Sequence, residues 1–444
     1  MKCIYYILVI NIGLLVTIAC SRDQHEKHSQ NQVNPFLDDF SNYAKSDTAY
    51  INPHGIEVEV DIEADIQAAK TKISRAPAEL GQFAATYLRK TNQLYLESLA
   101  EDITSPGRVE WLIDGEWYSA EHVENFDHSM LTHFRIKGVN AILLSHLVDQ
   151  AEVSTQFTAK VPIRPYDAFA DGGDGCIDKH PYLASSPSVY WYLWNPDQDQ
   201  CNVDVQDMSL TISAVYPAKE KTYPEYDRLT EDGKLTTVIL FGQISDTLDE
   251  KDPGNYNLEW MAYLLTSGGY EEFDSEIGRR FVKIVDGFEF IVDLYSPYVF
   301  AGLNDRANYG NFERAVTEHE IIVYDGHSLM GLSDFWSRPS YPDQYQIFLY
   351  GGCLGYEYYV RPILEGKGGW QQVDIMSSVF EVIAPATDFA APILARIEKA
   401  IISGRYASWN ELLQVVRDWV YDSSFGVSGA RDNCFTPSGS RCTE

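Results

Sequence analysis

The chain has 444 residues, and its 65 acidic residues against 34 Lys and Arg give a formal charge of −31 at pH 7. So strong a negative charge disfavours nucleic acid and anionic lipid as partners. The length is sufficient for two or three domains with a sizeable core.

The N-terminus has the features of an export signal. Lys2 precedes the apolar stretch 4–18, which is too short to span a bilayer comfortably, and Ala19 is a small residue directly before Cys20. The run 16–20 resembles the lipobox of bacterial lipoproteins, where the signal peptide is cut and the new terminal cysteine is acylated. The resemblance implies a signal peptide over 1–19 and a lipid on Cys20 that anchors the protein outside the cytoplasm, at the bacterial outer membrane. An ordinary secretory signal is the alternative.

Two segments of different composition follow the signal. Residues 20–50 begin with a polar stretch, 21–34, that is typical of a solvated tether. Residues 51–105 are rich in helix-forming side chains, with apolar residues at helical spacing and a predicted break near Pro77. The spaced residues are Ile62, Ile66, Ala69, Ile73, Leu80, Ala84 and Leu88.

Residues 106–235 have the pattern of a β-sandwich module. Alternating runs such as 154–161 and 210–215 are separated by turn-forming clusters at 171–175 and 195–197. Asn195, Asp197 and Asp199 alternate as calcium ligands do, but Gln200 and Gln206 replace the expected Gly and bidentate Glu. A second acidic cluster, Asp167, Asp171, Asp174 and Asp178, does not match that loop either. We therefore assign no metal or cofactor, and a structural calcium is the alternative to acidic turns in solvent.

Residues 236–425 alternate between apolar runs of strand length and amphipathic stretches of helix length. The predicted strands are 238–241, 290–294, 321–324 and 347–350, and the predicted helices are 258–267, 311–318, 392–402 and 409–420. This alternation predicts a mostly parallel sheet with helices on both faces, and functional groups at the carboxyl ends of its strands. Residues 426–444 form a tail with a pair of cysteines.

Cysteine usage singles out one thiol. Cys3 lies in the predicted signal peptide, and Cys20 carries the predicted lipid. Five cysteines then remain in an oxidising compartment, where four of them can pair. The two pairs in turn-rich segments predict disulfides that join Cys176 to Cys201 and Cys434 to Cys442. Cys353 is then the odd one.

Two predicted strands run into loops that contain side chains suited to catalysis. The strand 321–324 runs into Asp325-Gly326-His327-Ser328, and the strand 347–350 runs into Gly351-Gly352-Cys353. A thiolate that attacks a carbonyl and an imidazole that handles protons are the groups that cysteine catalysis requires. The glycines would allow a substrate backbone to approach, and the Cys353 amide would donate to an oxyanion.

These blocks resemble clan CD cysteine peptidases, the group of the caspases, legumains and gingipains, in which one hydrophobic strand ends in His-Gly and a later one in Ala-Cys. The resemblance covers about 236–362 and is nearest to gingipains at 324–328. It implies a caspase-like α/β fold, a peptide or protein substrate, Cys353 as nucleophile, His327 as general acid/base, and the amides of Ser328 and Cys353 as the oxyanion pair. Ser328 stands where the family has Gly, and Gly352 where it usually has Ala.

Two other functions compete with the peptidase. In the first, a peptidase-like lipoprotein binds a ligand and Cys353 is an inert buried residue. The two differ in the pKa of the thiol, which a nearby imidazolium lowers and apolar burial raises. In the second, 326–331 approximates the Gly-x-Ser-x-Gly elbow of serine esterases, with Ser328 as nucleophile, but Met330 breaks the pattern and no His follows His327 in the chain.

Overall fold

The computed structural model of the protein describes residues 34–40, 52–97, 99, 108–119, 122–123, 126–180, 183–219, 221–382, 386–420, 425–439 and 442. Cys20 and the predicted signal peptide lie outside these residues, as does most of the predicted tether. In the described part of the chain, no helix combines the length and the apolar character needed to cross a bilayer.

The first half of the described chain is organised around one antiparallel sheet. Its strands are β1 Gly55–Asp65, β2 Leu94–Leu96, β3 Val109–Ile113, β4 Glu116–Ser119, β5 His133–Leu144, β6 Gln156–Pro162 and β7 Val205–Tyr216. They are arranged in the order β4-β3-β5-β1-β7-β6, with β2 also paired to β5. The helices of this half are α1 Ala76–Thr91, α2 Ala168–Gly172 and α3 Tyr190–Leu193.

Two predictions for this region are wrong. The segment 51–105 is not a helical unit, because β1 occupies 55–65 and its buried residues Val58, Val60 and Ile62 recur at every second position, the period of a strand. The β-sandwich is also absent from the described residues of 106–235. One sheet forms there together with β1, and helix α1 packs on β6 where a second sheet was expected, with Phe83 and Phe157 in the same core cluster.

The second half is organised around an eight-stranded sheet, counted within the described residues. Its strands are β8 Lys234–Phe241, β9 Glu271–Asp274, β10 Arg279–Val285, β11 Phe288–Tyr295, β12 Ile321–Asp325, β13 Gln346–Tyr350, β14 Val373–Ser378 and β15 Phe425–Ser428. They are arranged in the order β15-β14-β13-β12-β8-β11-β10-β9. The accompanying helices are α4 Tyr226–Leu229, α5 Pro253–Ser267, α6 Tyr309–Glu318, α7 Gly355–Lys367, α8 Ala386–Ser403 and α9 Trp409–Val420.

This sheet is mixed, so the predicted fold class, a mostly parallel caspase-like α/β domain, is wrong. The pairings among β14, β13, β12, β8 and β11 are parallel, whereas β9, β10 and β15 are antiparallel to their neighbours. The prediction rested on strands alternating with helices, but β9, β10 and β11 follow one another without a helix between them. Asp286 and Gly287, with φ of 53° and 84°, form a two-residue turn that can join antiparallel strands only.

The central strands bury both of their faces. Ile322 and Tyr324 of β12 belong to one core cluster, while Ile321 and Val323 belong to the other. The first of these clusters also contains the buried residues of the antiparallel sheet and α1, so one continuous core joins the two sheets. Uninterrupted apolar runs are the usual sequence pattern of strands that are covered on both sides.

The structure contains the two disulfides that the sequence predicts. Cys176 is bonded to Cys201 with Cα atoms 4.4 Å apart, and Cys434 is bonded to Cys442 with Cα atoms 5.0 Å apart. Among the described cysteines, Cys353 is the free one.

Candidate functional site

The candidate site lies where β12 and β13 end. The two strands are parallel neighbours with Tyr324 opposite Tyr350, so both carboxyl ends lie at the same edge of the sheet. The ladder continues beyond the strands, because the amide of Gly351 donates to the carbonyl oxygen of Tyr324 at 2.8 Å. His327 and Cys353 therefore belong to adjacent loops, as expected from the sequence.

These two loops touch at Gly352. A Cβ placed on Gly352 would lie 2.4 Å from Oγ of Ser328 and 2.9 Å from the carbonyl oxygen of Gly326. Contacts this close leave no room for a methyl group. The packing therefore explains why residue 352 is Gly, whereas clan CD peptidases usually have Ala at the matching position. It also places each of His327 and Cys353 one residue away from the contact.

Three buried tyrosines hold the His327 loop. The hydroxyl of Tyr324 donates to the carbonyl oxygen of His327 at 2.9 Å, and the hydroxyl of Tyr359 donates to the carbonyl oxygen of Ser328 at 2.6 Å. The hydroxyl of Tyr350 shares a 3.0 Å hydrogen bond with Oγ of Ser328. The sequence pattern does not predict these hydrogen bonds, because tyrosines next to a strand end are ordinary packing residues.

Strained backbone surrounds both loops. Leu329 and Met330, directly after Ser328, have φ of 47° and 52°, and Leu354, directly after Cys353, has φ of 52°. Left-handed conformations cost a bulky L-residue about 1–2 kcal/mol each. Such strain is held in place by the surrounding structure and is concentrated at functional sites in proteins generally.

The His327 ring is exposed and bonded to a third strand end. Its Nε2 lies 3.0 Å from the carbonyl oxygen of Ile244, which belongs to the loop after β8. Because a carbonyl only accepts, Nε2 must carry the proton, and the neutral ring then has its lone pair on Nδ1. This tautomer suits a proton acceptor at Nδ1.

Cys353 is in a different state from the one that a preformed thiolate–imidazolium pair requires. Its thiol donates to the carbonyl oxygen of Val382 at 3.5 Å, not to His327. Burial raises the pKa of the Cys353 thiol above its ordinary value, and the charge of Glu381 adds to the rise. The thiol is therefore protonated at neutral pH in this conformation.

The serine-esterase alternative loses support from the surroundings of Ser328. Its side chain is buried, with 4% of the residue exposed, and Oγ is bonded to the hydroxyl of Tyr350. A nucleophile needs an adjacent base and an open approach. The buried, hydrogen-bonded hydroxyl of Ser328 therefore does not fit a nucleophile.

A cleft of about 480 Å³ lies beside the Cys353 loop and is lined by residues from both halves of the described chain. The adjacent Leu354 lines it and donates from its amide to the carbonyl oxygen of Phe380 at 2.9 Å. The lining residues are Arg89, Lys90, Asp178, Lys179, His180, Tyr192 and Leu193 from the first half, and Leu354, Val379, Phe380 and Glu381 from the second. This cleft was not predictable from local sequence pattern, because residues far apart in the chain form it.

The charges in the cleft are largely paired. Arg89 bridges to Glu357 at 2.5 Å and Lys90 to Asp178 at 2.8 Å. The Tyr192 hydroxyl donates to Glu381, and burial together with that carboxylate raises the tyrosine pKa. On a chain with a net charge of −31, this cleft is close to neutral and therefore suits a ligand without a strong charge.

The acidic turns considered for calcium are engaged elsewhere. Asp197 pairs with Lys160 and accepts from the Tyr87 hydroxyl, while Asn195 donates to Asp178 at 2.6 Å. Across the described residues, no group of three or more His, Cys, Asp and Glu is arranged to hold a metal ion.

The chain was compared with protein-family models, with curated proteins and with solved structures, and none of the three comparisons found a match.

Proposed function

We propose that the chain is an exported, lipid-anchored cysteine peptidase in which Cys353 is the nucleophile and His327 the general acid/base. The observation that supports this best is the contact between the two strand-end loops at Gly352, which leaves both residues one position away from it. The neighbouring cleft gives a peptide substrate a place to bind. The strained residues after Ser328 and Cys353 fit a site whose geometry is imposed by its surroundings.

The proposed reaction uses a neutral thiol that is activated during attack. Sγ of Cys353 forms a bond to the substrate carbonyl carbon while Nδ1 of His327 takes the thiol proton. The peptide C–N bond then breaks, and the imidazolium gives that proton to the departing amine. Water next attacks the thioester, with Nδ1 removing one of its protons. The carboxylic acid leaves, and the proton returns to Sγ.

The resting contact of the thiol sets a requirement on the first step. Sγ must leave the carbonyl oxygen of Val382 and turn toward the substrate before attack. The amides of Ser328 and Cys353 are the proposed donors to the oxyanion, which would bind between the touching loops. Catalytic hydrogen bonds are often formed only in the substrate complex. The resting contact of Sγ with the Val382 carbonyl oxygen is therefore compatible with Cys353 as the nucleophile.

One observation favours a second candidate, a surface lipoprotein that binds a ligand in the cleft without catalysis. Cys353 is partly buried, its thiol donates to a backbone carbonyl, and its pKa is raised, which is the usual state of a structural cysteine. In that case the cleft alone is functional and Cys353 is part of its wall.

The two candidates are separated by activity measurements on the full-length protein in detergent, with fluorescein-labelled casein as substrate. We expect peptide release by the wild type and none by Cys353→Ala or His327→Gln. Gln is the matched replacement, because its amide can still donate to the Ile244 carbonyl oxygen but cannot take a proton. If the wild type releases no more peptide than Cys353→Ala, the binding protein becomes the better proposal.

A further inference from the structure

Helix α5 carries an aromatic stripe on its outer face. Tyr256 and Tyr263 are 51% and 60% exposed, and the partly buried Trp260 between them stacks on Tyr263 with ring centroids 5.4 Å apart. Residues at positions i, i+4 and i+7 share one face of a helix. The opposite face of α5, which includes Leu258 and Met261, is buried in the core. The aromatic stripe therefore lies on the side of α5 that faces away from the core.

This face is also unusual in its charge. Glu259 is the one charged residue among the fifteen of α5, and it bridges to Arg279 at 3.0 Å. The rest of the exposed face consists of aromatic and uncharged polar side chains. An almost uncharged aromatic surface on a protein with a net charge of −31 fits the headgroup region of a bilayer, where Tyr and Trp are enriched.

The chain enters the described structure at the end of the same helix. The side-chain amide of Asn34 donates to the carbonyl oxygen of Leu264 and to Oγ of Ser267, both at 2.7 Å. The following short helix, Pro35–Leu37, places Phe36 against Gly268 and leaves Leu37 63% exposed. Cys20 is fourteen residues before Asn34, so even a fully extended chain would hold this end of α5 within about 50 Å of the acylated cysteine.

We infer that the α5 stripe of Tyr256, Trp260 and Tyr263 rests on the headgroup region of the membrane in which the protein is anchored. This inference depends on the proposed anchor at Cys20. The stripe suits zwitterionic lipids, because the nearby edge strand β9 carries the exposed acid Glu271 and the chain as a whole has a net charge of −31, both of which repel an anionic surface. With α5 on the membrane, the tether attaches on the membrane side of the protein.

The test uses full-length acylated protein in phosphatidylcholine vesicles, with and without brominated acyl chains that quench nearby Trp fluorescence. We expect brominated lipid to quench the wild type, and the quenched fraction to disappear in Trp260→Phe. Trp117→Phe is the matched control, a partly buried Trp of the first sheet, and should keep the quenching. In Tyr256→Ser/Tyr263→Ser the quenching should fall at least twofold, whereas Val153→Ser/Val205→Ser, two exposed apolar residues elsewhere, should match the wild type.

Two outcomes would overturn the inference. The first is equal quenching of the wild type and Trp260→Phe in protein that remains bound to the vesicles. The second is Trp260 fluorescence that changes with the density of protein on the vesicles but not with bromination. That result would show that a second copy of the chain, and not lipid, covers the stripe. Failure of the anchor is separately visible, because Cys20→Ser protein would sediment with vesicles as well as the wild type does.

Discussion

The Tyr359 hydroxyl in helix α7 donates a hydrogen bond of 2.6 Å to the carbonyl oxygen of Ser328, 31 residues earlier in the chain. Both groups are buried. The bond fixes the backbone next to His327 from a helix that begins directly after the Cys353 loop. Tyr359 thus links the positions of the two proposed catalytic residues through the backbone.

Tyr359→Phe should move the His327 loop while leaving the fold intact. The Ser328 carbonyl oxygen keeps its second hydrogen bond, from the amide of Gly331 at 3.0 Å, so loss of the Tyr359 bond should lower the free energy of unfolding by about 0.5–1.5 kcal/mol. In the casein assay we expect kcat to fall by roughly tenfold with KM unchanged, because the loop orients the base. Tyr358→Phe is the matched control, since its buried hydroxyl has no hydrogen-bond partner among the described residues. Equal kcat values for the two variants would contradict a positioning role for Tyr359.

The Cys353 thiol should react slowly with iodoacetamide at neutral pH. Burial raises its pKa, so the thiolate forms and labelling accelerates only on the alkaline side of the ordinary cysteine range. Glu381→Gln should shift the midpoint of the labelling profile to lower pH, because the carboxylate contributes to the rise. His327→Gln should leave the resting profile unchanged. Fast labelling at pH 7 that His327→Gln abolishes would instead indicate a preformed ion pair.

Gly352→Ala should force the two loops apart. Its Cβ would lie 2.4 Å from Oγ of Ser328, and overpacking of this kind destabilises proteins by about 1–3 kcal/mol. The loss of stability should be smaller when Ser328 is also changed to Ala, since that removes the nearest atom. Gly310→Ala is the control, because nothing lies within 4 Å of its added Cβ and helix α6 should tolerate it. Similar melting temperatures for Gly352→Ala and the wild type would be inconsistent with this packing.

Asp374 of β14 should make stability depend on pH. Burial raises its pKa from 3.8 to about 7. The folded state therefore keeps a proton on Asp374 that the unfolded state releases above about pH 4. The contribution of this proton to the free energy of unfolding is complete below pH 4 and is lost as the pH rises through 7. The whole effect amounts to roughly 4 kcal/mol.

Asp374→Asn should reduce the dependence of the free energy of unfolding on pH between about 4 and 7. Oδ2 of Asp374 accepts from Tyr345 at 2.6 Å, Trp409 at 2.7 Å and Asn433 at 2.5 Å, and the amide oxygen of Asn can accept the same three bonds. Thermal unfolding at pH 5 and pH 8 measures the effect. Between these values we expect the wild type to lose more stability than the variant, and parallel profiles would show that Asp374 does not titrate as described.

Cys20→Ser should release the protein from the membrane. The proposed lipid is attached through the cysteine sulfur, which a serine lacks, and each buried methylene of the lipid contributes about 0.8 kcal/mol to anchoring. Fractionation of the cells and mass measurement of the N-terminal peptide test this. Wild-type protein that is released from the membrane fraction and lacks an acyl adduct would favour the ordinary secretory signal.

Features that depend on short-range pattern were predictable from the sequence alone. The apolar runs at 321–324 and 347–350 form buried strands because neighbouring residues alternate between two covered faces. Cys434 and Cys442 are eight positions apart, and a short loop makes that pairing probable in any oxidising compartment. The adjacency of the His327 and Cys353 loops follows from the two strands being neighbours.

The tertiary structure decided what depends on contacts between distant residues. Strand direction was one such feature, because alternation of elements does not distinguish a parallel strand from the hairpin at Asp286–Gly287. The state of Cys353 was another, since burial and the charge of Glu381 raise the pKa of its thiol. The cleft wall is a third, with Arg89 and Glu357 meeting across 268 positions of sequence. Such pairs form because their shapes and charges are complementary in the folded chain. Local sequence pattern does not predict them, because the partners are far apart in the sequence.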